Sequence, residues 1–453
     1  MHPLFEPQSV VLIGSSKIQE KVGMTSPQLF DGVIYNMLKF FRETTFVLDI
    51  ARERDYMRLG DLPKIPDLGV IILPPRQSLE QLKKCAEMGV KAIVVITGGY
   101  KRQEREQLIS LKREYGIRTL GPNTIMGVIN TANGLNTTFE RDLMPRKGNI
   151  SVISQSGGVG ACLLDWACFY NIGISKFAFM GDKIDINDVD LLRYLNEDSQ
   201  TKVICLYMEG IENGREFIQV AKKVVETKPI LVLKGGVTKE AAQRALSHTA
   251  SIAGSDTVFD AALKKAGIIR VENGEELINS AVALAKQPPL RGDNIAIVSN
   301  VGGPAILAAD AIVRNRLKLA VLSEKTRKEI ENCYPGLEAV NPIDLIADAR
   351  ADRYSVVLDL VLSDPNVDGV MVINMLKSCF FELEDALTIA KVIDKHVGKP
   401  VVDVAAGGED FTLVHRVLQD TNIPVYNLPE KAAKALKALR TYYKSIEKQF
   451  SAT

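Results

Sequence analysis

The chain has 453 residues, room for two to four domains at roughly 100–200 residues each, and its 46% hydrophobic and 25% charged residues are those of a soluble globular protein, which excludes disorder on a large scale. Lys and Arg number 56 against 55 Asp and Glu, leaving a net charge of +1 that gives no electrostatic case for nucleic acid or an anionic membrane as partner. The six cysteines (Cys85, Cys162, Cys168, Cys205, Cys333, Cys379) are scattered through apolar runs without a C-x-x-C pair, so neither a tightly bound metal nor a disulfide framework is expected, and a cytoplasmic location is. The opening MHPLFEPQSVVLIG lacks the basic region and long apolar core of a signal peptide, and no apolar run reaches the roughly 18 residues of a membrane span.

In chain order, short β-branched runs recur, each followed by a longer stretch of helical periodicity: SVVLIG, TFVLDI, GVIILP and AIVVIT, then ISVIS, KVICLYM and PILVLKGG, then IAIVSN, LAVL, GVMVIN and PVVDVA. Strands alternating with helices predict α/β domains with parallel sheets. Breaks at Met144-Pro145-Arg146-Lys147-Gly148 and at Gln287-Pro288-Pro289-Leu290-Arg291-Gly292 each precede a new strand. Three domains are expected, over residues 1–143, 144–288 and 289–453.

The second and third domains read as copies of one unit. Ile153-Ser154-Gln155-Ser156-Gly157-Gly158 parallels Val298-Ser299-Asn300-Val301-Gly302-Gly303, Lys202 to Glu209 parallels Gly369 to Met375, and Lys228 to Gly236 parallels the run that starts at Lys399. The copies then diverge: Gly236 to Ile268 spans 32 positions against 15 from Gly408 to Ile423, a surplus of about 17 in the second domain. It holds Ala245-Leu246-Ser247-His248-Thr249-Ala250-Ser251-Ile252-Ala253-Gly254-Ser255, and it follows a parallel strand, on the side where such sheets bind ligands.

His248 is one of four histidines; His2 sits at an expected frayed start, and His396 and His415 fall in basic helical stretches that read as surface. His248 alone lies among small residues, either capping a helix through Ser247 or Thr249 or carrying an imidazole to a substrate. Two glycine turns open helices after strands, at Ser154, Ser156, Gly157 and Gly158 and at Gly302 and Gly303. Their free backbone N–H groups form anion sites, and in duplicated domains they are candidates to share one phosphate. The alternative is a tight turn that needs glycine for its own geometry.

In the first domain, Gly14-Ser15-Ser16-Lys17, reaching Lys21-Val22-Gly23, is not a G-x-G-x-x-G, because Ser16 stands where a second glycine must admit a pyrophosphate. Asp49 occupies the place of a ribose-binding carboxylate, which keeps a dehydrogenase in view, while Arg52 favours a nucleotide with an extra phosphate. Ile96, Thr97 and Gly98, with Gly121-Pro122-Asn123-Thr124, form kinked strand ends able to admit a long ligand or serve as plain turns. Glu209 ends an otherwise apolar strand; there it either meets solvent or hydrogen-bonds an imidazole. Trp166, on an apolar helix face with Leu163, Leu164 and Phe169, reads as core.

Taken together, these residues resemble the α subunit of NDP-forming acyl-CoA synthetases, the ADP-forming acetyl-CoA synthetase type, and more distantly that of succinyl-CoA synthetase. The resemblance covers nearly the whole chain and is carried by Ser247-His248-Thr249 with Ala253-Gly254, the Gly121-Pro122-Asn123 and Ser154 to Gly158 turns, and Glu209. It implies a Rossmann-like CoA-binding domain followed by two flavodoxin-like, doubly wound domains. It also implies phosphorylation at His248 with Glu209 holding the ring, a phosphate site at Ser154, Ser156, Gly157, Gly158, Gly302 and Gly303, and a CoA site at Gly14, Ser15, Ser16, Lys17, Val22, Gly23, Arg52, Ile96, Thr97, Gly98 and Asn123. The departures are Ala250 for a glycine, Asp49-Ile50 for an asparagine-proline pair, and a segment Gly181 to Ile186 poorer in glycine. The implied cofactors are CoA in this chain and Mg²⁺ with ADP or ATP on a β subunit bearing an ATP-grasp domain, in an α2β2 heterotetramer. The competing expectations are a first-domain dehydrogenase or CoA transferase, and a CoA-binding regulatory subunit without catalysis; the presence of both His248 and Glu209 weighs against the last.

Overall fold

The computed structural model describes residues 1–17, 27–51, 58–242, 255–377 and 380–450, in two compact units, Met1–Arg270 and Val271–Thr453. In the first unit, β1 (Ser9–Gly14), β2 (Thr44–Asp49), β3 (Leu68–Ile72), β4 (Ala92–Val95) and β5 (Arg118–Leu120) form a parallel sheet in the order β2-β1-β3-β4-β5. Every residue of β1, β3 and β4 is buried, as strands covered by helices on both faces must be. The start of the chain is not frayed: Leu4 and Phe5 are buried, and the Phe5 carbonyl accepts from Asn130 Nδ2 at 2.9 Å and Asn133 Nδ2 at 3.0 Å.

A second sheet in this unit contains β6 (Val128–Asn130), β7 (Leu135–Asn136), β8 (Lys147–Ser154), β9 (Ile174–Phe179), β10 (Val203–Met208), β11 (Ile230–Lys234) and β12 (Ile269–Val271), in the order β12-β11-β10-β8-β9-β6-β7. Counted from β8, its strands repeat the 2-1-3-4-5 order of the first sheet, with β6 and β7 added antiparallel on the β9 edge. Both added strands precede the boundary expected at 143/144. β6 pairs with β9 and β7 with β6, and that pairing makes strands of so short a stretch.

One expectation fails on the helix Gly157–Phe169. Leu163 and Leu164 are buried, but Trp166 is 37% and Phe169 78% exposed. At 100° per residue, Gly160, Leu163, Leu164 and Ala167 face the sheet and Trp166 and Phe169 point away from it.

The second unit holds β13 (Asn294–Ser299), β14 (Lys318–Leu319), β15 (Ile343–Asp344), β16 (Gly369–Asn374), β17 (Val401–Ala405) and β18 (Val425–Tyr426), ordered β14-β13-β16-β17-β18 with β15 also on β13. It is the same order a third time. Helix Gly274–Lys286, expected in the second domain, packs here on Pro429–Phe450, with Lys434 Nζ 2.8 Å from both Glu272 and Glu276 and the Tyr426 hydroxyl donating to the Asn279 carbonyl at 3.0 Å. Side chains of β17 alternate between two cores: Val401 and Ala405 join one, Val402 and Val404 the other. Asp403 falls on the first face, 2% exposed, where burial pushes its carboxyl up to about 7. Asn374 Nδ2 donates to its Oδ2 at 2.6 Å, and Asp403 Oδ1 and Asn374 Oδ1 are buried without a partner.

Among the described residues, no helix is long and apolar enough to cross a membrane, the cysteines are free, and no three or more His, Cys, Asp or Glu side chains gather as metal ligands would.

Candidate functional site

The 2-1-3-4-5 order has its switch point beside the first strand, and the crevice there opens at the carboxyl ends. The three glycine turns predicted to matter follow the first strands of the three sheets, β1, β8 and β13. In the first sheet, Gly14 must be glycine for packing, because a Cβ there would lie 2.3 Å from the Phe30 ring. Ser15 is 5% exposed and its Oγ accepts from Lys17 N at 3.3 Å, while the Ser16 Oγ is buried without a partner. Asp49 Oδ1 accepts from Ser16 N at 3.2 Å and Ala51 N at 3.0 Å, so the carboxylate in the ribose position ties the turn together. Ile96 and Thr97 are buried, and the Thr97 hydroxyl donates to the Leu73 carbonyl at 2.6 Å. Gly98 abuts Asn123, whose Oδ1 would lie 2.9 Å from a Cβ at that position. Val22, Gly23, Arg52 and His248 lie outside the described residues, as do Ser247, Thr249, Ala250, Ala253 and Gly254.

At the end of β8 the Ser154 hydroxyl donates to the Ser156 carbonyl at 2.6 Å and accepts from Ser156 N at 3.1 Å, closing the turn on itself. Ser156 then caps the helix Gly157–Phe169, its Oγ accepting from Val159 N at 3.4 Å. The first N–H groups of a helix have no partner within it and carry roughly half a positive charge. Those of Gly157 and Gly158 border a cavity of about 440 Å³. Its wall also includes Asn123, Ile125, Phe179, Lys183 and Glu212, so a residue expected to bind CoA and three expected to bind phosphate share one pocket. A Cβ on Gly157 would lie 3.2 Å from the Phe179 ring and 3.3 Å from Ile125 Cγ2, which sets apolar groups directly against the helix start.

Three polar residues of this pocket escaped the sequence reading. Gln155 uses both ends of its carboxamide: Oε1 accepts from Glu209 N at 2.6 Å and Gly210 N at 3.2 Å, and Nε2 donates to the Gly210 carbonyl at 2.9 Å and Asp188 Oδ1 at 2.8 Å. Lys183, at φ 51°, sets its Nζ 3.2 Å from Asp188 Oδ2 and 3.9 Å from Glu212. Asp182 pairs with Arg105 and accepts from Asn123 Nδ2 at 3.2 Å. The available signal was the glycine-poor stretch from Gly181.

Glu209 stands just beyond β10. Its Oε1 accepts from the Tyr207 hydroxyl at 3.3 Å, while its Oε2 is buried with no partner. Burial, with Glu209 beside it, pushes the Tyr207 phenol up to about 12. A buried carboxylate oxygen without a donor is unfavourable by 1 kcal/mol or more, on the order of a lost hydrogen bond. On the neighbouring β11, Lys234 Nζ donates to the Glu209 carbonyl at 2.9 Å, and desolvation lowers that ammonium's pKa. The chain that carries His248 therefore leaves its strand next to Glu209.

In the second unit, Gly302 and Gly303 open the helix Gly302–Arg314 behind Val301, with no side-chain cap; a Cβ on Gly302 would meet Asp344 Oδ2 at 3.4 Å.

Comparison with known proteins names the group. The α subunit of acetate–CoA ligase [ADP-forming] II from Pyrococcus furiosus is 35% identical over 98% of this chain and 98% of its own length. The chain belongs to the family of ADP-forming acetate–CoA ligase α subunits. Within that family the first sheet falls in a match to a CoA binding domain over residues 8–130, and β8 to β12 of the second in a match to a succinyl-CoA ligase like flavodoxin domain over 147–284. The Methanocaldococcus jannaschii acetate–CoA ligase [ADP-forming] is 36% identical over 96% of this chain, which spans only 62% of that relative's length. The acetyl-coenzyme A synthetase 1 of Ca. Korarchaeum cryptofilum, solved in complex with phosphate and ADP, superposes with a TM-score of 0.90 at 31% identity, over 100% of this chain and 98% of its own. That superposition takes in all three sheets of this chain.

Proposed function

We propose that this chain is the CoA-binding, phosphohistidine-bearing subunit of a reversible acyl-CoA ligase: acyl-CoA + phosphate + ADP give acid + CoA + ATP. The observation that carries this reading is the partnerless Glu209 Oε2, buried beside the residue that lines the pocket at Gly157 and next to the strand from which the His248 segment departs. Inorganic phosphate, oriented by the N–H groups of Gly157 and Gly158, attacks the thioester carbonyl. The C–S bond breaks, CoA leaves as thiolate, and an acyl phosphate remains. An imidazole nitrogen of His248 attacks phosphorus, the carboxylate departs with the bridging electrons, and Glu209 accepts the ring's other N–H, fixing the tautomer and supporting the charge that develops. The Gly302 helix start is a second phosphate-binding element. The phosphohistidine then passes its phosphoryl group to ADP. Nucleotide and Mg²⁺ belong to a β subunit with an ATP-grasp domain, in an α2β2 complex in the cytoplasm; the partner is supported by the name of the P. furiosus relative, a subunit α.

The test uses the purified chain alone with acyl-CoA and labelled phosphate. His248 should become labelled without ATP, as an acid-labile, base-stable adduct, and His248→Asn should abolish labelling and, with the partner present, turnover. Label entering the lone chain from ATP would overturn the two-subunit reading.

A further inference from the structure

The pocket at Gly157 has an apolar side and a charged side, and on the charged side carboxylate outweighs cation. Ile125, Met126, Phe139, Ala161 and Phe179 form the first. On the second, Lys183 is the cation among the described lining residues, and its side chain is 9% exposed. It faces two carboxylates, Asp188 at 3.2 Å and Glu212 at 3.9 Å, while Asp182 has its own cation in Arg105. One ammonium between two carboxylates leaves no positive charge for a third.

We propose that Lys183, locked between Asp188 and Glu212, closes this pocket to an acyl tail that ends in a carboxylate, and that Glu212 is the residue that sets this selectivity. The proposal rests on the pocket being the acyl site of the ligase described above. An uncharged tail lies against Phe179 and Ile125, next to the helix start that orients phosphate, and about 440 Å³ holds far more than an acetyl group. A carboxylated tail instead loses water and meets like charge, with the nearest ammonium already paired. Glu212 is the place to intervene because its side chain is 61% exposed, whereas Asp188 also holds Gln155 and through it the strand end at Glu209.

The test compares kcat/KM for succinyl-CoA and pentanoyl-CoA, tails of similar length with and without charge, in the enzyme assembled with its partner, phosphate and ADP. The parent should prefer pentanoyl-CoA by about 100-fold or more, the scale on which a site rejects an unpaired buried charge. Because Glu212 is screened by solvent, Glu212→Gln should narrow the ratio about threefold and Glu212→Arg about tenfold, mainly through the KM for succinyl-CoA. Equal use of the two thioesters by the parent, or an unchanged ratio in Glu212→Arg, overturns the proposal. No turnover with either thioester or with acetyl-CoA overturns the ligase reading along with it.

Discussion

Set side by side, the ends of β8 and β13 carry the same turn. The Ser154 and Ser299 hydroxyls each donate to the carbonyl two residues on, at 2.6 and 2.8 Å, and each accepts back from that residue's N–H at 3.1 Å. Gln155 and Asn300 each accept from the backbone beyond the neighbouring strand, at Glu209 N and Met375 N. The strand end so held bears a carboxylate in one sheet and a thioether in the other. The helix that follows is capped by Ser156 in one and by no side chain at Val301 in the other. The interiors trade places too: Val232, opposite Leu206, corresponds to Asp403, opposite Val372. Topology therefore supplies the same crevice in both sheets, and the two differ in the few residues at their rims.

The sharpest way to break this comparison is at the strand ends. Glu209→Gln should lower the yield of phosphohistidine about tenfold, the value of a charge-assisted hydrogen bond, while leaving CoA affinity intact. Met375→Gln should change neither, and a parental yield in Glu209→Gln would remove Glu209 from the site. Next come the helix starts. Gly157→Val drives a side chain into Phe179 and Ile125 and should raise the phosphate KM about fivefold, the scale of a helix N-terminus acting on an anion. Gly302→Val should raise it by less, and no change there would assign the third sheet another task.

The last prediction concerns the interiors and bears on stability, not turnover. Asp403 titrates at about 7 in the folded chain against an ordinary 3.8, so the folded state holds the proton more tightly. Its contribution is complete below about pH 4 and is lost as pH rises to 7, at most about 4 kcal/mol by linkage and less if the carboxylate finds water. Denaturation of the second unit, followed between pH 5 and pH 8, should lose this slope in Asp403→Asn. A slope that persists would trace to other groups.

Much of this architecture was legible in the sequence. The β-branched runs fall on β1 to β4, β8, β10, β11, β13, β16 and β17, and the internal repeat survives down to matching hydrogen bonds. Glu209 stood out because a charge ending an apolar strand needs an explanation, and the structure places it just beyond β10 with Oε2 buried. Trp166 and Phe169 were misjudged because their helix is apolar nearly all round, so periodicity alone does not say which side the sheet covers. His396 reads as surface, yet its Nε2 sits 2.8 Å from Asp359 with the side chain 19% exposed, a pairing 37 residues away that no local pattern announces. The tie from Gln155 to Asp188 likewise joins residues 33 positions apart. Sequence spacing is silent on it.

The clamp at Gln155 has a consequence for kinetics. It fixes the backbone at Glu209 and Gly210 through a carboxamide, which neither gains nor loses a proton over the range in which the chain stays folded. That tie to the strand end is thereby insulated from acidity, whereas the tie from the Lys234 ammonium to the Glu209 carbonyl is not. Bends in a plot of turnover against pH should then report the ionisation of phosphate, of imidazole and of the Lys234 ammonium, and not of the Gln155 tie.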